Sequence, residues 1–491
     1  MEMRKRKIAF LLSFLLLLGV PGISVAAADG SSYVYDGYTY DYWGNALESP
    51  AAFELETVID RSDMGSIKLQ SVDDVCTSAD GRIFLTDKTE SRVNVFDSTG
   101  KFLKSIKVIM NEEKKIVLDA DGNQIVLTNP SGTYYHDKND ELYIADTGAK
   151  RIVVLDGQGY TMKRIINEPE DLSGVTEFKP SKVAVDQADR IYIVVQSSYE
   201  GIIELNADGT FSRYFGVNEP EVNLIDYFWK SLASDTQKEK MGKTYAPAFN
   251  NVTMDSEGFV YAVTHDSTAA DMVFRLNSAG ENVLRETGKW RVIGDIFHDN
   301  DPSKFVDVAV TEYGVYAALD MTMGRIYLYN YDGELLNVFG SLGNLKGQFK
   351  TPSGIAWNGY SLVVSDSELK CAYILKPTEF GDVLLRGSEK YYFGKWDEAV
   401  ELFEEALRHN ANLEVAYVGI GKNYLMKDEY ELAMKYFELG NSREYYSKAY
   451  NGYRTIQIEK HFGIIAVIFV ALIVMLVVSE VRYHKKGGKQ S

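Results

Sequence analysis

Cysteine is nearly absent from this 491-residue chain. Only Cys76 and Cys371 occur, so neither a disulfide framework nor a thiolate zinc site can be built. Proline is sparse, at 10 residues, which argues against disorder or a proline-rich fibre. Of the 6 histidines only His136, His265 and His298 fall in the central body, at unlike offsets within the repeats described below. They do not form a converging metal set. Basic residues are outnumbered, 52 Lys and Arg against 70 Asp and Glu, for a formal charge of -18. The two ends are nevertheless basic. Glu2 with Arg4, Lys5, Arg6 and Lys7 gives +3, and Glu480 with Arg482, Lys485, Lys486 and Lys489 gives another +3, which leaves -24 for the body. Such a field disfavours nucleic acid and anionic lipid as partners. Signatures of chemistry are missing as well: there is no EF-hand loop, Gly-x-Ser-x-Gly elbow, His-Glu-x-x-His or phosphate loop.

What is abundant is tyrosine, at 33 residues, which suits many short strands. Residues 320–356 show how they are organised. Asp320 precedes Arg325, and the apolar runs 326–329 and 335–339 flank the turn Asn330-Tyr331-Asp332-Gly333. Asn caps such a turn with its side chain and Gly takes the positive φ. Phe339-Gly340, Gly347-Gln348-Phe349 and Pro352-Ser353-Gly354-Ile355-Ala356 follow. The order recurs as Asp87, Arg92, Asp97 and Gly100, and again as Asp146, Arg151, Asp156 and Gly159. Weaker copies contain Gln196, Gly201, Asn206 and Gly209, then Asn277 and Gly280, and finally Asp366 and Cys371. Paired runs such as 75–77 with 83–86, 183–185 with 191–195 and 252–254 with 260–263 precede these motifs. Each unit therefore supplies four short strands, and radial repetition of such units makes a β-propeller. The motif closely resembles the NHL repeat, a propeller blade unit. That resemblance implies a mainly β, six-bladed NHL-like propeller over 72–377. The last unit lacks its own fourth strand, so residues 53–60, which alternate as a strand, are expected to close the ring. Residues 33–43 are expected near that seam. An extra hairpin is expected at 106–127 and a helical insertion within 221–248. Cys76 and Cys371 fall on different strand types of neighbouring blades, which favours two separate core residues over a bridge.

The ends set an address. Residues 1–28 combine a basic start, an apolar run at 8–20 and Ala26-Ala27-Ala28, the pattern of a signal peptide. Residues 462–479 carry no charge and span about 27 Å as a helix, close to a bilayer core. Arg482, Lys485 and Lys486 follow at once, which places the tail 480–491 in the cytoplasm by the positive-inside rule and the body outside a plasma membrane. The residues between, 378–461, change to a period near 3.6. Gly387, Trp396, Ala399, Phe403 and Ala406 are matched 34 residues later by Gly421, Tyr430, Ala433, Phe437 and Gly440. The match resembles the tetratricopeptide repeat, with small residues where paired helices touch. That family's closing Pro is replaced by Ala411 and Tyr445.

Candidate binding residues fall in two groups. Asp87, Asp146, Asp320 and Asp366 end corresponding strands and could form a polar ring at the propeller mouth. Their repetition fits blade architecture better, because a catalytic residue is normally unique. Tyr227 and Trp229 in the insertion, with His265 and Asp266, stand where the repeat breaks, and insertions in repeat arrays often mark the binding face. No catalytic residue, metal ligand or cofactor is assigned, although so acidic a body is compatible with calcium held by carboxylates. The sequence points to a membrane-anchored extracytoplasmic binding or scaffold protein. Its expected partner is a protein, small-molecule or carbohydrate ligand outside the membrane, or a membrane complex. The alternative is a gluconolactonase-like, metal-dependent hydrolase with its site in the propeller channel.

Overall fold

The structure, a computed structural model, describes residues 34–60, 68–172, 177–196, 198, 200–216, 248–265, 271–284 and 303–487. The segment 1–28 expected to be a signal peptide, most of the expected insertion 221–248, Tyr227, Trp229 and Asp266 lie outside the described residues. The remainder is a mainly β six-bladed propeller followed by a small helical region. Blade one is Asp74–Thr77, Ile83–Asp87, Arg92–Phe96 and Phe102–Ile106. Blade two is Gly132–His136, Glu141–Asp146, Arg151–Asp156 and Met162–Ile166, and blade three is Pro180–Val185, Ile191–Val195, Ile202–Leu205 and Phe211–Phe215. Blade four has three strands among the described residues, Asn251–Met254, Val260–Val263 and Val273–Leu276. Blade five is Phe305–Val310, Tyr316–Asp320, Arg325–Tyr329 and Leu335–Phe339, and blade six begins with Pro352–Asn358, Ser361–Asp366 and Cys371–Pro377.

The first strands of successive blades contact one another in a ring, so they line the axis. Burial explains the strand order. Ile83–Asp87 and Tyr316–Asp320 are buried at every residue, as strands packed on both faces should be, whereas Phe102–Ile106 exposes its central residues at the rim. Apolar clusters fill the spaces between adjacent blades. The Asn330 turn forms as its residues dictate. Its side-chain oxygen accepts the Glu334 N–H at 2.8 Å, and Gly333 takes φ +79°.

Phe53–Ile59 lies antiparallel to Cys371–Pro377 as the fourth strand of blade six. Tyr35, in the segment before it, packs in one apolar cluster with Phe53, Tyr373 and Leu375 near that seam. Gly37–Tyr40 then pairs with Leu335–Phe339, and with Ala46–Ser49 it extends blade five to six strands. The cause is local. Buried Asn337 accepts the Ala52 N–H at 2.9 Å and donates to Ser49 and Pro50, while Phe53 stacks on Phe339 at 5.1 Å. The chain is thus held on blade five before it crosses to blade six. Residues 106–127 form a narrow ribbon of isolated bridges, Val108 to Val126, Met110 to Ile116 and Leu118 to Gln124. Cys76 and Cys371 are both free thiols.

Beyond Pro377 the chain becomes helical: α1 (Glu379–Tyr392), α2 (Trp396–His409), α3 (Glu414–Met426), α4 (Tyr430–Leu439) and α5 (Arg443–Gly487). Thr378 caps α1, its hydroxyl accepting the Gly381 N–H at 3.1 Å. Phe403 packs against Gly387 and Gly419, and Phe437 against Gly421, where a Cβ would come within 2.6–3.0 Å of the rings. These glycines are needed for close helix approach. The first turns of α5 cover α4, with Ala449 buried and Tyr445 stacked on Phe437 at 5.4 Å. Its later apolar turns are exposed on nearly every side, and this is one helix long and apolar enough to cross a membrane.

Candidate functional site

The carboxylates of the repeated Asp positions are fully buried and engaged by their own loops. Asp87 accepts N–H bonds from Gln70, Ser71 and Glu90 and pairs with Arg92 at 3.3 Å. Asp146 accepts the Thr128 N–H and pairs with Arg151 at 2.9 Å. Asp320 accepts from Lys304, Thr322 and the Ser303 hydroxyl, and Asp366 from Lys350, Thr351, Glu368 and Leu369. Burial raises the Asp146 and Asp320 carboxyls above their ordinary range, against the pull of these donors. Each is 0% exposed, so its visible work is to fix the loop entering its blade. His265 is exposed, and its backbone N–H donates to Asn250 Oδ1 at 2.8 Å. His136, on the inner strand of blade two, is buried and bonded to Asp189 at 3.3 Å.

A different set converges on the axis. The inner strands bring together Asp74 of blade one, Thr133 of blade two, Lys182 of blade three, Asn251 of blade four and Asp307 of blade five, while blade six presents Gly354. Lys182 reaches past blade two and donates to Asp74 Oδ1. Asp74 Oδ2 accepts the Thr133 N–H at 2.7 Å. Asp307 Oδ1 accepts the Asn251 amide and the Val308 N–H, and its Oδ2 accepts the Ile355 N–H at 2.7 Å. Asp74, Asn251 and Asp307 are each no more than 5% exposed, and the Lys182 side chain is 12% exposed.

Desolvation dominates the electrostatics. It raises both carboxyls, Asp307 to about 7, even though Lys182 pulls them down. The same burial alone would lower the Lys182 ammonium, but Asp74 and Asp307 outweigh it and hold the ammonium above its usual range. Among the described residues no group of three or more His, Cys, Asp or Glu is placed to hold a metal ion. Lys182 itself supplies the cation that the two axial carboxylates face.

No repeated residue marks this cluster in the sequence. Asp74, Lys182, Asn251 and Asp307 each stand four residues before the inner-turn residue, Ser78, Asp186, Asp255 and Thr311, and each is followed by Val. The position recurs but its residue changes from blade to blade. Variation at a fixed register was the signal available.

No protein-family model matches the chain, and no curated protein matches it. Solved structures do resemble it. A selenomethionine-substituted virginiamycin B lyase from Staphylococcus aureus is 10% identical, covers 66% of this chain and 99% of its own, and has a TM-score of 0.40. A streptogramin B lyase is 15% identical, covering 66% and 98% with a TM-score of 0.38. Hydrazine synthase of Kuenenia stuttgartiensis is 14% identical, covering 61% and 76% with a TM-score of 0.38. Likeness at this level concerns the propeller fold alone.

Proposed function

We propose that the chain is a membrane-tethered recognition protein, with an NHL-like propeller outside the membrane held by tetratricopeptide-like helices on a single spanning helix. One observation carries this reading. The 45-residue α5 runs without a break from its packing on α4 into the exposed apolar turns, about 68 Å at the usual rise. The helical layer is in turn fixed to the propeller. Lys422 Nζ lies 2.9 Å from Asp332 Oδ2, Asn410 donates to Ser49 at 3.0 Å, and Thr378 Oγ1 donates to the Ala51 carbonyl at 2.8 Å. A propeller so mounted has a set orientation to the bilayer, which suits presentation of one face to a partner. The basic-apolar-alanine start, the cationic residues after 479 and the Gly–Phe pairs at 34-residue spacing support the topology and the repeat identity.

The test is photocrosslinking in intact cells from the exposed rim residues Thr89 and Asn129, on the face where the Asp87 and Asp146 loops lie. A discrete adduct from these sites, and none from the opposite face, is expected. Equal labelling from both faces, or no adduct at all, would sink the recognition reading. The hydrolase alternative draws on one observation, the convergence of Asp74 and Asp307 on the axis. Chelator-sensitive lactone turnover by the purified chain is its test, and the Lys182 ammonium between those carboxylates favours the binding reading.

A further inference from the structure

One short stretch of chain is held by both halves of the molecule. Residues 49–52 join the hairpin laid on blade five to the strand that closes blade six, and the helical layer grips them from the other side. Ser49 Oγ accepts from Asn337 of blade five at 3.1 Å and from Asn410, between α2 and α3, at 3.0 Å. Asn337 also accepts the Ala52 N–H and donates to the Pro50 carbonyl. The ladder that closes the ring, whose last pair is Pro377 with Phe53, does not stop at the propeller. The Thr378 N–H adds a bond to the Ala52 carbonyl at 3.0 Å. The Thr378 hydroxyl donates to the Ala51 carbonyl at 2.8 Å while accepting the Gly381 N–H. The cap of α1 is therefore built on the closing strand. Packing continues across the same joint. A single apolar cluster takes in Phe339 of blade five, Leu375 of blade six, Ala52, Phe53 and Leu385 of α1, with Val415 of α3 against it. Ala52 and Phe53 are fully buried, and a Cβ on Gly381 would collide with the Ala52 carbonyl oxygen, so no gap separates strand from helix.

We propose that residues 49–52 are a coupling joint: closure of the propeller ring and docking of the helical layer are one cooperative event. Withdrawing the N-terminal strand undocks the helices, and undocking the helices frees the strand. Between the other blades the apolar clusters contain propeller residues alone. Among the described residues, the cluster at this joint is the one that includes both propeller and helix. If Phe53–Ile59 leaves, the α1 cap loses its acceptors at Ala51 and Ala52, and Leu385 loses the apolar floor formed by Ala52 and Phe53. If the helices leave, Ser49, Ala51 and Ala52 lose the donors from Asn410 and Thr378, and Phe53 gains water on one side. Each half loses partners when the other departs, which is the condition for a shared opening unit. The hairpin formed by Gly37–Tyr40 and Ala46–Ser49 leads straight into the joint, so tension on the N-terminal end reaches the ring and the mount together. The joint is a property of the fold and does not require the membrane topology.

Native-state amide exchange on the full chain in detergent micelles, followed as urea rises below the unfolding transition and corrected for intrinsic rates, tests it. Phe53–Ile59 and α1 should open with one urea dependence, ahead of Glu141–Asp146 in blade two. Asn410→Ala lies in the helical layer and bonds no residue of Phe53–Ile59. It removes one bond to Ser49 and should speed exchange about fivefold in both Phe53–Ile59 and α1 while blade two stays unchanged. Strand and helix opening at different urea concentrations, or only together with blade two, would overturn the joint. So would an Asn410→Ala effect confined to the helices or spread equally to blade two. If Asn410→Ala does not fold, the urea series on the natural chain decides alone.

Discussion

Removing the ammonium of Lys422 is the most direct way to separate the propeller from its helical mount. Lys422 projects from α3 and is 8% exposed, and Asp332 in the blade-five turn is 6% exposed. Their 2.9 Å ion pair is joined by the Tyr391 hydroxyl, 3.1 Å from the same Asp332 oxygen. The ammonium also lies 5.3 Å from the Tyr391 ring and 4.7 Å from the Tyr445 ring, so it ties α1, α3 and α5 to one acidic turn. Burial alone would lower the ammonium, but Glu334, Tyr391 and Asp332 hold it well above its usual range. Lys422→Met leaves the Asp332 charge in place without that cation. Losing one partner of a buried pair costs about 3–5 kcal/mol, and the residual exposure here places the expectation near about 3 kcal/mol. Adding Asp332→Leu removes the stranded charge, so the double variant should recover at least about half of the loss. Pulse proteolysis of the detergent-solubilised chain in urea, following release of the helical fragment, measures both. A single-variant loss under about 1 kcal/mol, or a double variant as unstable as the sum of the two singles, would refute this account of the mount.

Other expectations follow from single sites. Asn94 in blade one is 0% exposed and neither side-chain polar atom has a partner among the described residues, while Val153 and Ile203 hold the same register in blades two and three. Asn94→Val should therefore stabilise the chain by about 1 kcal/mol in urea titration, and a loss of stability would contradict the packing described. Asp320→Asn turns an amide toward backbone donors and should cost about 1–3 kcal/mol while rim crosslinking persists. Lost crosslinking at unchanged stability would instead make Asp320 a site residue. At Gly381 a Cβ would lie 1.8 Å from the Ala52 carbonyl oxygen, so Gly381→Ala should shift the α1 junction and expose it to protease, at about 1–3 kcal/mol. Burial pushes the Cys371 thiol up to about 12 and raises Cys76 further. Neither should alkylate at neutral pH until urea is added, and rapid native labelling would contradict their placement.

The propeller was legible because its blades repeat. The Asp–Arg–Asx–Gly order fixes a loop, a strand start and a turn in each unit, and each of these is satisfied by residues close in sequence. Asp320, for example, finds its donors within 17 residues. The closing strand could be expected at 53–60 because blade six runs out of chain at Pro377, and the structure has Phe53–Ile59 there. The pairing of Gly37–Tyr40 with blade five depends on Asn337, almost 300 residues away, and no local pattern announces it. The same holds for the contact of Lys422 with Asp332, 90 residues apart. The axial cluster was hidden for the opposite reason. Its members share a register, but a search for identical residues discards a position that reads Asp, Lys, Asn and Asp.

The central claim is a propeller fixed outside the membrane on one spanning helix, and single-cysteine labelling tests it most directly. Both native thiols sit on propeller strands with strongly raised pKa values, so their background with a membrane-impermeant maleimide should be low. Glu113, whose side chain is 69% exposed in blade one's extra ribbon, reports on the propeller as Glu113→Cys, and Lys489→Cys reports on the tail. In intact cells Glu113→Cys should label fully and Lys489→Cys only after permeabilisation. Labelling of Lys489→Cys in intact cells, with Glu113→Cys protected until lysis, would contradict the account.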